Sequence, residues 1–372
     1  MKLLIGGSPC THWSIAQTKH RETEPSGLGW ELFLNYLIAM EKYRPDYFLY
    51  ENNKSMSPAI RAQITRELGV EPVLINSALV SAQSRQRLYW TNIPGVEQPK
   101  DCGILVRDIL ESGVCWRDKA YTLKASAGHQ GGPSNIIRSI ETNGHFSANG
   151  VAEPVNITAD GKAQCLRATY YKDGIRNLVG NTIDRKTCVA VRVGDMPNAV
   201  TADGHQSRMV IIAADGKEHP VYSVTDGFIE IKGKKYPIRL PDGLYIIRKL
   251  TVNECKRLQT VPEWYRFSVS QTQAYKMLGN GWTVDVISHI LSYCPGLTET
   301  PTEVLSMYDG MSCGRLALLK LGANITNYYA TEIDKYAIAT TQENFPDTIQ
   351  LGDAFQVREE GWTLRKGGVE NE

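Results

Sequence analysis

A cysteine on a stiff loop near the start of the chain is the first side chain that could do covalent chemistry. The short apolar run Leu3 to Ile5 predicts a buried strand, and two glycines end it. Pro9 fixes its own φ and favours an extended Ser8, so Cys10 lies on a rigid loop beyond the strand's carboxyl end. Ligands of open α/β sheets bind at that edge. The thiol could therefore be a nucleophile; the alternative is a small buried side chain, as free cysteine often is.

An acidic side chain is predicted at the same edge of the sheet. Asp46 to Tyr50 reads as a strand, and Glu51, Asn52 and Asn53 follow it. If this strand is a parallel neighbour of the first, Glu51 lies close to Cys10.

Two arginines follow in an extended segment. Alternation places Gln83, Arg85, Arg87 and Tyr89 on one face of it. Paired arginines bind phosphates or polar rings, although they can also simply be solvated. The pattern alone leaves both readings open.

Alternating strands and helices would position these groups. A helix is predicted from about Gly29 to Tyr43, another from Ser57 to Leu68, and a strand from Pro72 to Ile75. This alternation is typical of a parallel α/β sheet.

The middle of the chain differs in character. Residues 95–240 are rich in glycine, asparagine, threonine and short β-branched runs, which predicts a separate, β-rich domain without a long amphipathic helix. Basic and aromatic residues interleave there, a mixture that suits contacts to nucleic acid. They include Arg167, Tyr170, Lys172 and Arg176. A solvated hairpin surface is the alternative.

Regular elements return after residue 247. Thr251 and Glu254 form a capping-box pattern that opens a helix. A second helix is predicted near Gln271 to Leu278, with a left-handed stop at 279–281. A third carries Trp282, Val286, Ile287, Ile290 and Leu291 inward, and 295–301 reads as a linker.

The last seventy residues predict a nucleotide-binding half-sheet. A strand from Val304 to Tyr308 leads to a glycine-containing turn, and a second strand ends at Glu332, about twenty residues later. A third strand ends at Asp353. We expect the strand near Met1 to pair beside this half-sheet.

Composition limits the possible classes of protein. The chain has 372 residues, 42% of them hydrophobic, and a net charge of +1, so any nucleic-acid surface must be local. No apolar run is long enough for a membrane span, and eight cysteines without framework spacing favour a cytoplasmic protein. His12 has no partner at metal-ligand spacing, so we expect no metal.

Together these blocks resemble the DNA (cytosine-5)-methyltransferase family in circularly permuted order. The matching blocks are Gly7-Ser8-Pro9-Cys10, Glu51-Asn52-Asn53, Gln83-x-Arg85-x-Arg87-x-Tyr89, Arg248-x-Leu250-Thr251-x-x-Glu254-x-x-Arg257-Leu258-Gln259-x-x-Pro262, Gly279-Asn280, Tyr308-Asp309-Gly310-x-x-x-Gly314, Glu332 and Asp353. Family members usually begin with the glycine turn, whereas this chain has it near the end. Departures from the family pattern are Ser8, Thr11, Asn53, Asp309 and Ser312.

The resemblance implies a fold and a domain plan. It implies an α/β, Rossmann-like methyltransferase sheet, circularly permuted, with an inserted β-rich target-recognition domain. The expected segments are catalytic (1–94), target-recognition (95–245), catalytic again (246–294), linker (295–303) and S-adenosylmethionine-binding (304–372).

The resemblance also implies catalytic roles. Cys10 would attack carbon 6 of a cytosine flipped out of duplex DNA, and Glu51 would hold nitrogen 3 and the exocyclic amine. Arg87 would hold oxygen 2, and Arg85 would brace the nucleophile loop or a phosphate. Gln83 joins Arg167, Tyr170, Lys172 and Arg176 as expected DNA contacts.

S-adenosylmethionine is the implied methyl donor, and S-adenosylhomocysteine the product. Glu332 would bind the ribose hydroxyls and Asp353 the adenine amine. The full expected donor site comprises Tyr308, Asp309, Gly310, Met311, Ser312, Gly314, Glu332, Ile333, Asp353, Ala354, Asn280, Pro9 and Leu32.

Two other functions compete with this one. The first is methylation of cytosine in transfer RNA, against which the large middle domain argues. The second is a DNA-binding regulator without turnover, against which intact Cys10, Glu51 and Arg87 argue. The expected partner is double-stranded DNA, the expected state is a monomer in the cytoplasm of a bacterial or phage-infected cell, and a restriction enzyme partner is left open.

Overall fold

The chain folds as two compact units. The computed structural model describes residues 1–14, 21–125, 133–144, 149–154, 189–192, 209–212 and 218–364. The first unit comprises Met1–Ile104, Thr122–Ala125 and Lys256–Glu372, and the second comprises Leu105–Tyr121 and Ser126–Cys255.

Strands and helices are numbered in chain order. The strands are β1 (Lys2–Gly6), β2 (Tyr47–Asn53), β3 (Val73–Asn76), β4 (Gln83–Ser84), β5 (Gln86–Thr91), β6 (Ala120–Tyr121), β7 (Val151–Pro154), β8 (Val189–Arg192), β9 (Met209–Ile212), β10 (Glu218–Thr225), β11 (Phe228–Ile231), β12 (Lys234–Pro237), β13 (Gly243–Arg248), β14 (Thr302–Met307), β15 (Ile325–Thr331) and β16 (Ile349–Gly352). The helices are α1 (Gly27–Tyr43), α2 (Pro58–Leu68), α3 (Val106–Ile109), α4 (Pro133–Asn143), α5 (Val252–Leu258), α6 (Gln271–Asn280), α7 (Val284–Leu291), α8 (Cys313–Lys320) and α9 (Lys335–Asn344).

A seven-stranded sheet forms the centre of the first unit, in the order β16-β15-β14-β1-β2-β5-β3. β1 pairs in parallel with β14 on one side and with β2 on the other. The last strands of the chain therefore complete the sheet beside the first, as the sequence predicted. The carboxyl ends of these strands meet at one edge, where open α/β sheets bind their ligands.

The expectation of a parallel sheet is wrong at one end. β5 lies between β2 and β3 and is antiparallel to both. Only a short connection joins β3 to β5, and parallel pairing would need a longer crossover, usually a helix. The sheet is therefore mixed.

Local signals explain where the first helices lie. α2 begins after Ser57, whose side chain accepts the Ile60 amide hydrogen bond, and ends at Gly69 with φ 69°. In α1, Phe33 and Tyr36 are fully buried, and both rings pack against Tyr50 of β2. This aromatic core holds α1 against the sheet.

Two predicted boundaries are wrong. Glu51 and the two asparagines after it lie inside β2, because β2 pairs with β5 as far as Asn53. The predicted left-handed stop at 279–281 is also absent: α6 continues through Asn280, and Gly281 is extended with φ −66° and ψ 163°. A Cβ on Gly279 would lie 2.3 Å from the backbone carbon of Lys124, so this glycine permits close packing.

The second unit has its own antiparallel sheet, in the order β12-β11-β10-β13-β7. α4 belongs to this unit and buries Ile136, Ile137 and Ile140 in a core with Val224 and Ile247. The sequence predicted no long amphipathic helix here, and it gave no sign of the 11-residue α4. Among the described residues of the whole chain, no helix is long and apolar enough to cross a membrane.

A buried charge cluster lies within the second unit. Arg248 is 5% exposed, and its guanidinium donates to Glu153 at 2.6 Å and to both carboxylate oxygens of Glu254 at 2.8 Å. Glu254 also completes the predicted capping box, since it accepts from the Thr251 amide at 2.8 Å while its own amide donates to the Thr251 hydroxyl at 3.1 Å. The cluster ties β13 to β7 and to the start of α5.

We expect Arg248→Met to lower the free energy of unfolding by about 3–5 kcal/mol, because it leaves two buried carboxylates without their cation. Urea unfolding of the whole chain measures the loss. Arg239→Met, at an exposed position, is the matched control and should change stability by less than about 0.5 kcal/mol. Equal losses in the two variants would contradict this assignment.

Candidate active site

The loop that carries Cys10 passes directly over Glu51. A Cβ on Gly7 would lie 2.8 Å from the Glu51 carbonyl oxygen and 3.1 Å from its Oε2. Cys10 then begins a short 3-10 helix, Cys10–His12. The structure describes the Cys10 backbone, while its thiol lies outside the described part. The structure therefore places the backbone of the Cys10 loop close to Glu51, at the edge of the sheet where the sequence predicted them.

A buried polar network anchors this loop to β2. The Ser8 hydroxyl lies 2.7 Å from the Tyr50 hydroxyl, and the Asn52 amide donates to the Ser8 carbonyl and the Tyr50 hydroxyl, each at 3.2 Å. Burial raises the pKa of Tyr50, so its hydroxyl keeps its proton. The sequence placed Ser8 and Asn52 in motifs without giving them these roles.

The Glu51 carboxylate has a cationic and a neutral donor on different oxygens. Arg87 Nε lies 3.0 Å from Oε1, and the indole Nε1 of Trp282 donates to Oε2 at 2.8 Å. Glu51 is only 9% exposed. An ion pair and a charge-assisted hydrogen bond in a buried place fix the orientation of the carboxylate, so that it can meet a ring edge in one geometry.

Gln83 does not fit the expected DNA contact. It is fully buried, its amide donates to the Leu258 carbonyl at 3.2 Å, and its side-chain oxygen accepts from the Leu123 amide at 2.7 Å. The prediction assumed one straight strand over 83–89. The strand instead breaks at Arg85, between β4 and β5, so alternation across that residue misplaces Gln83.

Arg85 is buried among backbone carbonyls. The residue is 4% exposed, and its guanidinium donates to the carbonyls of Leu123 and Gly279 at 3.3 Å and of Gly281 at 3.0 Å. Such burial does not suit a phosphate contact. The bonds to Gly279 and Gly281 hold the segment immediately before Trp282, and the expected bracing of the Cys10 loop stays a prediction.

The turn after β14 has an unusual backbone. Tyr308, Gly310 and Ser312 have φ values of 61°, 59° and 58°, although two of them carry side chains. The half-buried carboxylate of Asp309, in the same turn, accepts from the Ser306 hydroxyl at 2.6 Å, and it also accepts from the Ser312 hydroxyl. Burial raises the pKa of Asp309, while these hydroxyl hydrogen bonds act in the opposite direction. The network holds the turn in its strained form.

The turn leaves room for a ligand and is braced by an acid. A Cβ on Gly310 would have no heavy atom within 4 Å, so the space above it is open. The Gly310 amide donates to Glu332 Oε2 at 2.8 Å, and the amides of Ile333 and Asp334 donate to Oε1 at 2.8 Å. Tyr308 reaches α1 by donating to the Leu32 carbonyl at 2.6 Å. A carboxylate beside an open glycine turn suits a ribose-bearing ligand.

Some of the other expected donor-site residues are exposed, and others are buried. Ile333 is 73% exposed, and Pro9 and Asn280 are also exposed. Buried positions are Met311, Ser312 and Ala354. Asp353 caps the following short helix by accepting from the Phe355 amide at 2.9 Å.

A Cβ on Gly314 would lie 2.3 Å from Ile5 Cδ1, so this glycine lets α8 pack against β1.

The predicted DNA contacts of the middle domain lie outside the described residues. They are Arg167, Tyr170, Lys172 and Arg176. They stay predictions.

Comparison with known proteins identifies methylases and methyltransferases as relatives. The model of the family described as C-5 cytosine-specific DNA methylase matches residues 1–98 and 165–295, more than half of the chain. The type II methyltransferase M.FnuDI of Fusobacterium nucleatum is 24% identical over 76% of this chain and 73% of its own length. The type II methyltransferase M.SsoII of Shigella sonnei is 30% identical over 78% of this chain and 62% of its own length.

Solved structures are also similar, among them a methyltransferase from fission yeast. The S. pombe Dnmt2 methyltransferase has a TM-score of 0.34 at 17% identity, covering 78% of this chain and 77% of its own. So low a score carries no structural argument.

Proposed function

The chain belongs to the C-5 cytosine-specific DNA methylase family, and from this premise we propose that it methylates carbon 5 of a flipped-out cytosine through a covalent adduct with Cys10. The observation that carries the proposal is the Glu51 carboxylate, held by Arg87 and Trp282 directly beneath the backbone of the nucleophile loop. A nucleophile and a fixed acid at one sheet edge are what this reaction requires.

The chemistry assigned to the chain begins at carbon 6. Carbon 5 of cytosine is a poor nucleophile, and addition of the Cys10 thiolate to carbon 6 moves an electron pair to carbon 5 and nitrogen 3. Glu51 shares a proton with nitrogen 3 as this charge develops, and Arg87 donates to oxygen 2. After carbon 5 has gained its methyl group, loss of the carbon 5 proton to a basic group or water lets the sulfur–carbon 6 bond break, which restores the ring and the thiolate.

We assign the donor site to the turn from Tyr308 to Gly314, with Glu332 and Asp353. When bound there, S-adenosylmethionine supplies an electrophilic methyl group. The open space above Gly310 and the carboxylate of Glu332 beside it support this assignment. In this assignment Glu332 holds the ribose of the donor, and Asp353 lies near its adenine.

Glu332→Ala should weaken S-adenosylhomocysteine binding about tenfold to a hundredfold, because it removes the ribose acceptor and the brace of the Gly310 amide. Titration calorimetry measures this affinity. Glu299→Ala, at an exposed position of the same unit, is the control and should bind the product normally. Unchanged affinity in Glu332→Ala would place the donor elsewhere.

We infer that the chain is a circular permutant of its family. The match to the family model ends at residue 295, whereas the strands that carry the donor turn follow it, from Thr302 onward. The first of them, β14, pairs with β1, and β15 and β16 follow it in the same sheet. We propose residues 95–245 as the target-recognition domain, in which phosphate and base contacts would offset the cost of flipping the base.

The test is incubation of the whole chain with methyl-labelled S-adenosylmethionine and mixed-sequence duplex DNA. Label in DNA, located at cytosine by bisulfite sequencing, is the expected result and gives the recognised sequence. Label in transfer RNA but not in duplex DNA would favour the RNA alternative. Intact S-adenosylhomocysteine binding without any transfer would favour a binding protein.

A further inference from the structure

We propose that Trp282 is a positioning residue that holds the Glu51 carboxylate in its reactive orientation through the Nε1–H···Oε2 hydrogen bond. The bond is 2.8 Å long and joins residues 231 positions apart in the chain. The proposal rests on the proposed function, because it assigns to Trp282 a share in the proton transfer by Glu51.

The indole ring touches three parts of the site. Beyond its bond to Glu51, its Cζ2 atom lies 3.5 Å from the point that a Cβ on Gly7 would occupy. Its Cζ3 atom lies 3.4 Å from the corresponding point on Gly314, at the start of α8. One rigid ring therefore packs against the acid, the nucleophile loop and the helix that follows the donor turn.

Buried polar side chains fix the backbone on both sides of the ring. The Gly281 carbonyl accepts from Arg85 at 3.0 Å and from Gln259 at 3.2 Å. The Thr283 hydroxyl donates to the Gln259 side-chain oxygen at 2.8 Å and lies 2.9 Å from the Ser77 hydroxyl. The position of the indole is thereby set before any substrate binds.

Because the indole N–H can only donate, its contact restricts where the Glu51 carboxyl group can carry a proton. An indole N–H only donates, so the Oε2 lone pair that faces Trp282 cannot carry a proton. The proton that Glu51 exchanges is therefore confined to the lone pairs that face away from the ring. Trp282 thus sets which side of the carboxyl group meets the cytosine.

Trp282→Phe tests the role because it keeps an aromatic ring and removes the N–H. We expect the single-turnover rate, normalised to sites titrated with S-adenosylhomocysteine, to fall about tenfold, the effect of one charge-assisted hydrogen bond. The affinity for S-adenosylhomocysteine should change less than about twofold, since the ring remains. A loss of product affinity equal to the loss of rate would overturn the proposal.

A double-mutant cycle separates positioning from a structural role. If Trp282 acts through Glu51, Trp282→Phe should cost less than about twofold when added to Glu51→Gln. If the wild type is active and the rate losses of the two variants multiply in the double variant, the role of Trp282 is overturned while the proposed function stands. Absence of methyl transfer by the wild type to any duplex would instead overturn the proposed function, and this inference with it.

Trp90→Phe is the matched control for the loss of an indole hydrogen bond. Trp90 is buried in the same unit, and its Nε1 donates to the Thr65 hydroxyl at 3.0 Å. Trp90→Phe should lower the unfolding midpoint and leave the normalised single-turnover rate within about twofold of wild type. A tenfold loss of rate in this control as well would overturn the proposal, because the effect would then follow stability.

Discussion

Cys10→Ser is expected to abolish methyl transfer to duplex DNA, with a fall in the single-turnover rate of about 10⁴-fold or more, as for other lost nucleophiles. A serine hydroxyl is not ionised at neutral pH, so carbon 6 would not be attacked and carbon 5 would stay unreactive. Binding of S-adenosylhomocysteine should remain normal, because Cys10 itself is not among the residues assigned to the donor site. Label transfer from S-adenosylmethionine measures the rate.

The control for this variant is Cys102→Ser, at an exposed cysteine outside the site. It should retain full activity. A duplex with 5-fluorocytosine adds a direct readout. After methyl transfer its carbon 5 has no proton to lose, so elimination is blocked and the sulfur–carbon 6 bond should persist. A covalent complex formed by Cys102→Ser and absent in Cys10→Ser is expected. Methyl transfer by Cys10→Ser at the wild-type rate would exclude Cys10 as the nucleophile.

Glu51→Gln is expected to lower the single-turnover rate by about 10²–10⁴-fold, the usual contribution of a general acid or base. The amide keeps the shape of the side chain but cannot share a proton with nitrogen 3. It also leaves Arg87, now 3.0 Å from a carboxylate oxygen, without its anionic partner. The rate is measured under saturating S-adenosylmethionine, so that donor affinity does not enter.

Glu31→Gln supplies the matched comparison, because Glu31 pairs with Arg358 at 2.7 Å elsewhere in the first unit. Loss of that partly exposed pair should have little effect on stability and none on the rate. Activity in Glu51→Gln within a few-fold of wild type would remove Glu51 from the mechanism.

Several elements could be predicted from the sequence because their signals are local. The spacing of the apolar residues around Phe33 predicts α1, and Ser57 with Gly69 predicts both ends of α2. The capping box at Thr251 is formed in full. The pairing of β1 with β14 followed from the order of the motifs and from their resemblance to one family.

The features that were missed depend on contacts between distant residues. The alternation over 83–89 gave no sign of the break at Arg85, which buries Gln83 and turns the Arg85 guanidinium to backbone carbonyls. The antiparallel course of β5 depends on the short connection after β3, not on β5 itself. The bond from Trp282 to Glu51 spans 231 residues, and no spacing rule reaches that far. Such pairings become visible only in the fold.

The position of β1 between β14 and β2 also matters while the protein is being synthesised. β1 ends at Gly6, and its partner β14 begins at Thr302. At ribosomal rates of about 5–20 residues per second, roughly 15–60 s pass between the two strands. During that time one edge of β1 has no partner strand, which is a site for wrong pairing. Newly made chains should therefore depend on chaperones until the last strands emerge, and they should acquire donor binding only then.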